Sequence, residues 1–226
     1  MKKISLTLFV FLIIASACKN EKHVKKVTPA KKETKMAQNN LTKFGISPSS
    51  HPQGLVVGNM APNVKLTLQD GKVVALADLY KKQPVVLFFY RGYWCPVCNK
   101  HLTAFAKDAG KIEEKGVKLI AVTPESYDNV AKTRQHTGIK FTVVSDTDDH
   151  ILDAFKVNFK VTDKYQQMIQ DRLNASIAKT NANGEAVLPV PATFIIDKSG
   201  KIVYKQFDPD YHNRASIADI LAHLPV

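Results

Sequence analysis

The chain of 226 residues contains only three cysteines and one tryptophan, and it has no long apolar run. So few cysteines exclude a small fold held together by disulfide bonds. The longest mainly apolar stretch, residues 4–15, is shorter than the roughly 20 residues that a membrane-spanning helix requires. Phosphate-binding loops, dinucleotide fingerprints and hydrolase triad motifs are also absent from the sequence. With 45% apolar residues, 10 glycines and 11 prolines, the composition is that of a globular protein.

Positive charge is in excess, but it is concentrated at one end of the chain. The formal net charge is +12, and residues 1–50 contain ten lysines against two glutamates, a net of +8. The remaining residues carry 22 basic and 18 acidic side chains. A nucleic-acid-binding domain needs its basic residues on the folded surface. The sequence therefore predicts no nucleic-acid partner.

The N-terminus is typical of an export signal. Met1-Lys2-Lys3 precedes the apolar residues 4–15, and Ala15-Ser16-Ala17 precedes Cys18. A short basic region, a short apolar region and small residues before a cleavage site define a secretory signal peptide. A cysteine directly after such a tripeptide resembles the lipobox of bacterial lipoproteins, which implies that Cys18 is acylated and becomes the mature N-terminus. A plain signal peptide with a coincidental cysteine is the alternative.

A polar, lysine-rich segment without apolar periodicity follows Cys18 and extends to about Ser50. Such a segment buries too little surface to offset its ordering entropy. We therefore predict a signal peptide at residues 1–17, a flexible basic tether at 18–50 and one folded domain at 51–226. Lipid chains on Cys18 imply a protein anchored to a bacterial cell-envelope membrane, facing the periplasm or the surface.

Strand and helix patterns alternate along residues 51–226. Residues 64–68 and 72–76 flank an Asp-Gly turn and predict a β-hairpin, and the apolar run 85–90 predicts a central strand buried on both faces. Further strands are predicted at 117–123, 141–145, 192–197 and 201–207, and helices at 102–112, 125–136, 148–155 and 217–224. This order predicts an α/β fold. The polar stretch 158–187, with a helix at 163–173, is interpreted as an insertion.

Two cysteines lie directly after the central strand, where the next helix is predicted to begin. In Trp94-Cys95-Pro96-Val97-Cys98 they are separated by two residues within the first helical turn. A pair at this spacing can close a small disulfide ring, and the positive end of a helix favours thiolate over thiol. Pro96 lacks an N–H and fits the first turn. This context predicts a redox-active dithiol at Cys95 and Cys98.

Three other interpretations of the cysteine pair compete with redox activity. Structural zinc would use Cys95 and Cys98 with His101, but a second cysteine pair and a convincing fourth ligand are lacking. Covalent haem attachment requires a histidine directly after the pair, where this chain has Asn99. Two buried, inert cysteines are the third interpretation. We predict neither a metal nor another cofactor.

Four segments carry a resemblance to a known family, and they lie at residues 57–62, 89–98, 188–197 and 210–215. They are similar to the peroxiredoxin-like subgroup of the alkyl hydroperoxide reductase/thiol-specific antioxidant family. The Trp-Cys-x-x-Cys sequence also resembles the thioredoxin site. The resemblance implies a thioredoxin-like fold, in which a central mixed sheet is flanked by helices, with an N-terminal β-hairpin extension and one insertion.

The chain departs from the family pattern at functional positions. Cys98 matches the peroxidatic cysteine, but Cys95 stands where peroxiredoxins have threonine and Arg91 where they have proline. Pro191 stands where a distant arginine would hold the thiolate. Thioredoxins place a cis-proline opposite their cysteines, so we expect Pro191 to be cis, with a trans strand-entry proline as the alternative. Arg91 either supplies positive charge to the site or is a solvated loop residue. Trp94 either forms a flat wall beside the disulfide or packs in the interior of the protein.

Two redox functions and one binding function follow from these observations. In the first, which the departures favour, Cys95 is the more exposed thiol and attacks a partner disulfide, and Cys98 resolves the mixed disulfide. In the second, Cys98 attacks a hydroperoxide and Cys95 condenses with the resulting sulfenic acid. In the third, the domain is redox-silent and binds a partner. Either enzyme requires a thioredoxin-like electron donor.

Overall fold

The computed structural model describes residues 41–225, so the predicted signal peptide, Cys18 and residues 19–40 lie outside the described residues. The strands are β1 Lys65–Thr67, β2 Val73–Ala75, β3 Val85–Phe89, β4 Lys118–Thr123, β5 Thr142–Ser145, β6 Asn158–Lys160, β7 Val187–Pro189, β8 Ala192–Ile196 and β9 Ile202–Phe207. The helices are α1 Leu76–Tyr80, α2 Pro96–Glu113, α3 Tyr127–Thr137, α4 His150–Ala154, α5 Asp163–Leu173, α6 Ile177–Thr180 and α7 Ile217–Ala222. Within residues 41–225, no helix has the length and apolar character needed to cross a membrane.

The central sheet has five strands in the order β5-β4-β3-β8-β9. β3, β4 and β5 pair in parallel, whereas β8 pairs antiparallel with both β3 and β9. Every residue of β3 is buried. The predicted central mixed sheet is confirmed, and its central strand is the continuous apolar run, as expected for a strand covered on both faces.

Successive side chains of β3 point to opposite faces of the sheet and enter two separate cores, one on each face. Phe88 belongs to the core that α2 completes, and its ring centre lies 5.1 Å from that of Phe105. Phe89 points to the opposite core, where it contacts Phe155 and Phe194. A short loop, residues 90–95, connects the end of β3 to the first turn of α2.

The predicted hairpin is confirmed, with Leu66 of β1 opposite Val74 of β2 in an antiparallel pair. The second strand is shorter than predicted, because Leu76 begins α1 instead of continuing β2. Leu76 and Tyr80 lie one helical turn apart and are both buried. Residues i and i+4 lie on the same face of a helix, so this short helix turns both side chains toward the core.

The predicted insertion is closed by a strand pair that sequence patterns did not indicate. β6 and β7 pair antiparallel, with Asn158 opposite Pro189. Between them, α5 has the predicted bounds, whereas α6 was not predicted. Strands of three residues and a helix of four are too short to show a periodicity.

The last part of the predicted tether packs onto the domain. Ile46 is 1% exposed and forms a β-bridge with Val161. The Thr162 N–H donates to the Gly45 carbonyl oxygen at 2.9 Å. The boundary predicted at residue 50 is therefore wrong for residues 41–50, because buried apolar surface at Ile46 holds this short segment against the insertion.

Candidate active site

The cysteine pair occupies the first turn of α2, directly after the loop that leaves β3. Cys95 is the N-cap of α2 and Pro96 is its first residue. The Cys98 N–H has no partner within the helix and donates to Cys95 Sγ at 3.2 Å. Both cysteines are free thiols without exposed surface. The expectation that Cys95 is the more exposed thiol is therefore wrong, because both sulfurs are buried and the side chain of Arg91, from the preceding loop, lies against Cys95.

Arg91 belongs to the site and is only 3% exposed. Its Nη2 donates to Cys95 Sγ at 3.0 Å, and its Nη1 donates to the Tyr165 hydroxyl at 2.7 Å. The guanidinium carbon lies 3.7 Å from the centre of the Tyr211 ring. Burial disfavours the charge on Arg91, but the neighbouring sulfurs outweigh burial and raise the pKa of the guanidinium. Arg91 therefore holds a fixed positive charge against Cys95, and it is not a solvated loop residue.

A second arginine reaches the other sulfur from the loop before α7. Arg214 Nη2 lies 3.4 Å from Cys98 Sγ, and Arg214 Nε donates to the Tyr211 carbonyl oxygen at 2.8 Å. Sequence analysis gave Arg214 no role, and its only signal was the family-like segment 210–215. Arg214 and Arg91 thus supply the positive charge that the family pattern places at the position of Pro191.

The two thiols differ in proton affinity. Burial acts to raise the pKa of Cys98, but the hydrogen bond from Cys95 and the charges of Arg214 and Arg91 outweigh it and hold that pKa well below its usual value. Burial raises the pKa of Cys95, and its hydrogen bond and charge interaction with Cys98 raise it further. Ionisation of the pair is therefore expected to begin at Cys98, and Cys95 is expected to keep its proton to a higher pH.

A buried carboxyl group that sequence analysis missed lies beside the loop before α2. Glu125 has no exposed surface. Its Oε1 accepts the Tyr93 N–H at 2.8 Å, and its Oε2 accepts the Thr133 hydroxyl at 3.3 Å. Burial, with a further contribution from the negative charge of Cys98, raises the pKa of Glu125 to about 8. Glu125 is therefore mostly protonated at pH 7.

Trp94 packs inside the site and does not form an exposed wall. It is 7% exposed, and the Arg91 guanidinium carbon lies 5.4 Å from its ring centre. The residue at position 92 must be glycine, because a Cβ there would lie 2.6 Å from both Trp94 Nε1 and Glu125 Oε1. The loop thus brings its backbone close to the indole and to the buried carboxyl group.

Pro191 is buried between β7 and β8. All peptide bonds among residues 41–225 are trans, so the expected cis bond before Pro191 is not found. Trans is the intrinsically preferred isomer, and it lets the chain pass from one strand into the next while the Val190 N–H donates to the Val157 carbonyl oxygen at 2.8 Å. The strand-entry alternative describes this proline.

His101 is packed and is not a surface histidine. Its Nε2–H donates to the Ala215 carbonyl oxygen at 2.9 Å, and its ring centre lies 4.5 Å from that of Phe105. Burial lowers the pKa of His101, so the ring is neutral at pH 7. Within the described part of the chain, His101 and the two cysteine sulfurs do not converge as a set of three potential metal ligands.

A groove of about 700 Å³ runs between α2 and the segment that leads into α7. Val97 and His101 line one wall, and Arg214 and Ile217 line the other. Since Arg214 also contacts Cys98 Sγ, the groove ends one side chain away from that sulfur. Cys98 itself does not line the groove and has no exposed surface.

The sequence is similar to those of known proteins. The sequence profile of the AhpC/TSA family matches residues 57–205. The chain is 31% identical over 147 residues to the thiol-disulfide oxidoreductase ResA of Bacillus subtilis. The aligned region covers 65% of this chain and 64% of ResA. The chain is also 26% identical over 158 residues to the chloroplastic peroxiredoxin Q of Oryza sativa subsp. japonica. That aligned region covers 69% of this chain and 62% of the rice protein.

A solved structure shares the fold. The reduced Prx3 of Vibrio vulnificus, solved in complex with hydrogen peroxide, matches with a TM-score of 0.59 at 17% identity, over 74% of this chain and 97% of Prx3. This likeness confirms the predicted thioredoxin-like fold. Because the family profile covers more than half of the sequence, the chain belongs to the AhpC/TSA family.

Proposed function

We propose that the protein is a thiol-dependent peroxidase that cycles Cys95 and Cys98 between a dithiol and an intramolecular disulfide. The observation that carries this proposal is the placement of one arginine on each sulfur, Arg91 on Cys95 and Arg214 on Cys98. Guanidinium groups stabilise a thiolate and the negative charge that develops when an O–O bond breaks.

The reaction begins at Cys98, whose lowered pKa supplies the thiolate. The thiolate attacks the terminal OH oxygen of a hydroperoxide and the O–O bond breaks. Cys98 becomes a sulfenic acid, and the alkoxide or hydroxide that leaves takes a proton from solvent to give an alcohol or water. Cys95 then attacks the Cys98 sulfur, and water leaves as the disulfide forms. A thioredoxin-type reductant returns two electrons and restores the dithiol.

Burial of both sulfurs supports a small oxidising substrate. A protein disulfide would have to bring its own sulfur within bonding distance of the dithiol state, in which Cys95 has no exposed surface, whereas a thioredoxin-type reductant acts on the oxidised state. A hydroperoxide needs only a narrow approach, such as the groove that ends at Arg214. The absent threonine and arginine favoured disulfide exchange in the sequence analysis. Arg214 and Arg91 remove the objection from the arginine, while Cys95 still stands at the position of the threonine.

Disulfide exchange is the second candidate, and the position of Cys95 favours it. An N-cap thiol that accepts hydrogen bonds from Arg91 Nη2 and from the Cys98 N–H has the donors that a leading thiolate needs. The similarity to a thiol-disulfide oxidoreductase points the same way. The two candidates share one redox couple and differ in the sulfur that reacts first.

Serine variants of the cysteines separate the candidates. The reduced full-length protein, Cys95→Ser and Cys98→Ser are each mixed with hydrogen peroxide and with an oxidised protein disulfide in a stopped-flow instrument. Peroxidase chemistry predicts that Cys95→Ser retains the first peroxide turnover and that Cys98→Ser loses it. If instead Cys98→Ser accumulates a mixed disulfide through Cys95, disulfide exchange is the function. Unchanged behaviour in both variants would identify a redox-silent binding protein.

We further propose that lipid on Cys18 anchors the enzyme to a bacterial cell-envelope membrane. The support is the basic, apolar and small-residue order of residues 1–17 before Cys18. Growth with an alkyne fatty acid followed by detergent phase separation tests it. Wild type is expected in the detergent phase with label, and Cys18→Ser in the aqueous phase without label. Equal labelling of both forms would exclude an anchor at Cys18.

A further inference from the structure

The insertion contributes one side chain directly to the redox site. Tyr165 lies on the first turns of α5, within the segment between β6 and β7, and is 4% exposed. Its hydroxyl oxygen accepts a hydrogen bond from Arg91 Nη1 at 2.7 Å. Burial raises the pKa of Tyr165, so the phenol is neutral at pH 7. The insertion thus supplies an uncharged acceptor to a buried cation.

The Tyr165 contact fixes the direction in which Arg91 points. A guanidinium group is planar and rigid, so holding Nη1 also sets the position of Nη2. Nη2 is the atom that donates to Cys95 Sγ at 3.0 Å. The Tyr211 ring lies against the same guanidinium, but a ring face permits rotation within its plane. Tyr165 is therefore the contact that selects the rotation in which Nη2 meets the sulfur.

The ring of Tyr165 is itself held in place by the fold. Thr162 caps α5, and its side chain accepts the Tyr165 N–H. The ring packs so closely on the segment 41–46 that a Cβ on Gly45 would lie 2.6 Å from it. The hydroxyl can therefore be removed by a change to phenylalanine without moving the ring.

We propose that Tyr165 is a positioning residue that sets the reduction potential of the Cys95–Cys98 couple by holding Arg91 on Cys95, so that the insertion tunes the redox site. This inference rests on the proposed dithiol–disulfide couple. Reduction of the disulfide takes up two electrons and one proton and leaves one thiol and one thiolate near pH 7. The charge of Arg91, held against Cys95, also lowers the pKa of Cys98. It therefore stabilises the thiolate product, and stabilising the reduced form raises the reduction potential. Loss of the Tyr165 hydroxyl is therefore expected to make the couple more reducing.

The test compares wild type with Tyr165→Phe in glutathione buffers of graded redox state, followed by acid quenching and alkylation of free thiols. Hydrogen bonds to charged groups contribute about tenfold to an equilibrium. We expect the equilibrium to shift about tenfold toward the disulfide in the variant, equivalent to about 30 mV. The first thiol ionisation, followed by thiolate absorbance, is expected to move to higher pH. Tyr204→Phe, on β9 against His223, is the matched control and is expected to behave as wild type.

A double variant tests whether Tyr165 acts through Arg91. In an Arg91→Met background, adding Tyr165→Phe is expected to change neither the potential nor the thiol ionisation. Arg91→Lys keeps the charge but cannot reach Tyr165 and Cys95 together, and it is expected to shift the potential in the same direction as Tyr165→Phe.

Three results would decide against parts of this account. A wild-type potential and thiol ionisation in Tyr165→Phe overturn the role of Tyr165, as does an equal shift in the Arg91→Met background. A wild-type protein that forms no Cys95–Cys98 disulfide in any buffer overturns the proposed function itself. The failures of the two proposals are therefore distinguishable.

Discussion

At the scale of single residues, Glu125 links the site to the pH dependence of stability. In the folded protein its pKa is raised to about 8 by burial, against a usual value of 4.5. Between these values the folded state binds more protons than the unfolded state. The contribution of Glu125 to stability is therefore complete below pH 4.5 and is lost progressively as the pH rises to 8.

Glu125→Gln removes this titration while preserving the acceptor for the Tyr93 N–H. Because one titrating group contributes a slope of up to about 1.4 kcal/mol per pH unit, we expect the wild-type free energy of unfolding to fall between pH 5 and pH 8 by several kcal/mol more than that of the variant. Urea denaturation of both reduced proteins at pH 5, 6.5 and 8 measures the difference. Parallel pH profiles would show that Glu125 is ionised at pH 7.

Arg214 is the residue whose loss should act most directly on the Cys98 thiolate. Arg214→Met removes the donor that lies 3.4 Å from Cys98 Sγ, so the pKa of Cys98 is expected to rise. The peroxide rate at pH 6 is expected to fall by about tenfold or more, since hydrogen bonds to charged groups contribute roughly 1.5–3 kcal/mol. Stopped-flow rates from pH 4 to 9 measure the effect.

A matched arginine variant controls for loss of charge alone. Arg172→Met removes an exposed arginine from α5 and is expected to leave the pH profile unchanged. If Arg214→Met and Arg172→Met have the same profile, the contact between Arg214 and Cys98 has no effect on the reaction.

At the scale of elements, the turn into α2 depends on close approach at Gly92. A Cβ on Gly92 would lie 2.6 Å from Glu125 Oε1 and Trp94 Nε1, whereas a Cβ on Gly110, within α2, would meet nothing within 4 Å. We expect Gly92→Ala to lower the free energy of unfolding by roughly 1–3 kcal/mol and Gly110→Ala to raise it by about 1 kcal/mol. Chemical denaturation measures the free energy of unfolding of both variants. An equal gain in stability in the two variants would show that the loop before α2 relaxes around the new Cβ without cost.

Local patterns predicted the long elements and missed the short ones. The apolar run of β3 and the spacing of α5 gave the correct structures, because each buries a whole face or stripe. β6, β7 and α6 have three or four residues each and depend on partners elsewhere in the chain. Ile46 was assigned to the tether because a single buried residue in a polar segment has no pattern of its own.

At the scale of the whole molecule, the site combines residues that are adjacent in sequence with residues that only the fold brings together. Cys95, Pro96 and Cys98 are adjacent in sequence, and the strand–CxxC–helix context predicted their place. Their partners converge from distant segments: Tyr165 lies 74 residues from Arg91, and Arg214 lies 116 residues from Cys98. Only the folded sheet and the insertion bring these groups together, so their roles could not be read from spacing.

The proposed peroxidase mechanism depends most on Cys98 being the sulfur that reacts first. The direct measurement treats reduced Cys95→Ser with one equivalent of hydrogen peroxide in the presence of a sulfenic-acid trap, and maps the modified residue by mass spectrometry. We expect a trapped sulfenic acid on Cys98 and, in wild type without the trap, a Cys95–Cys98 disulfide. An unmodified Cys98 in the variant, with the peroxide unconsumed, would contradict this mechanism.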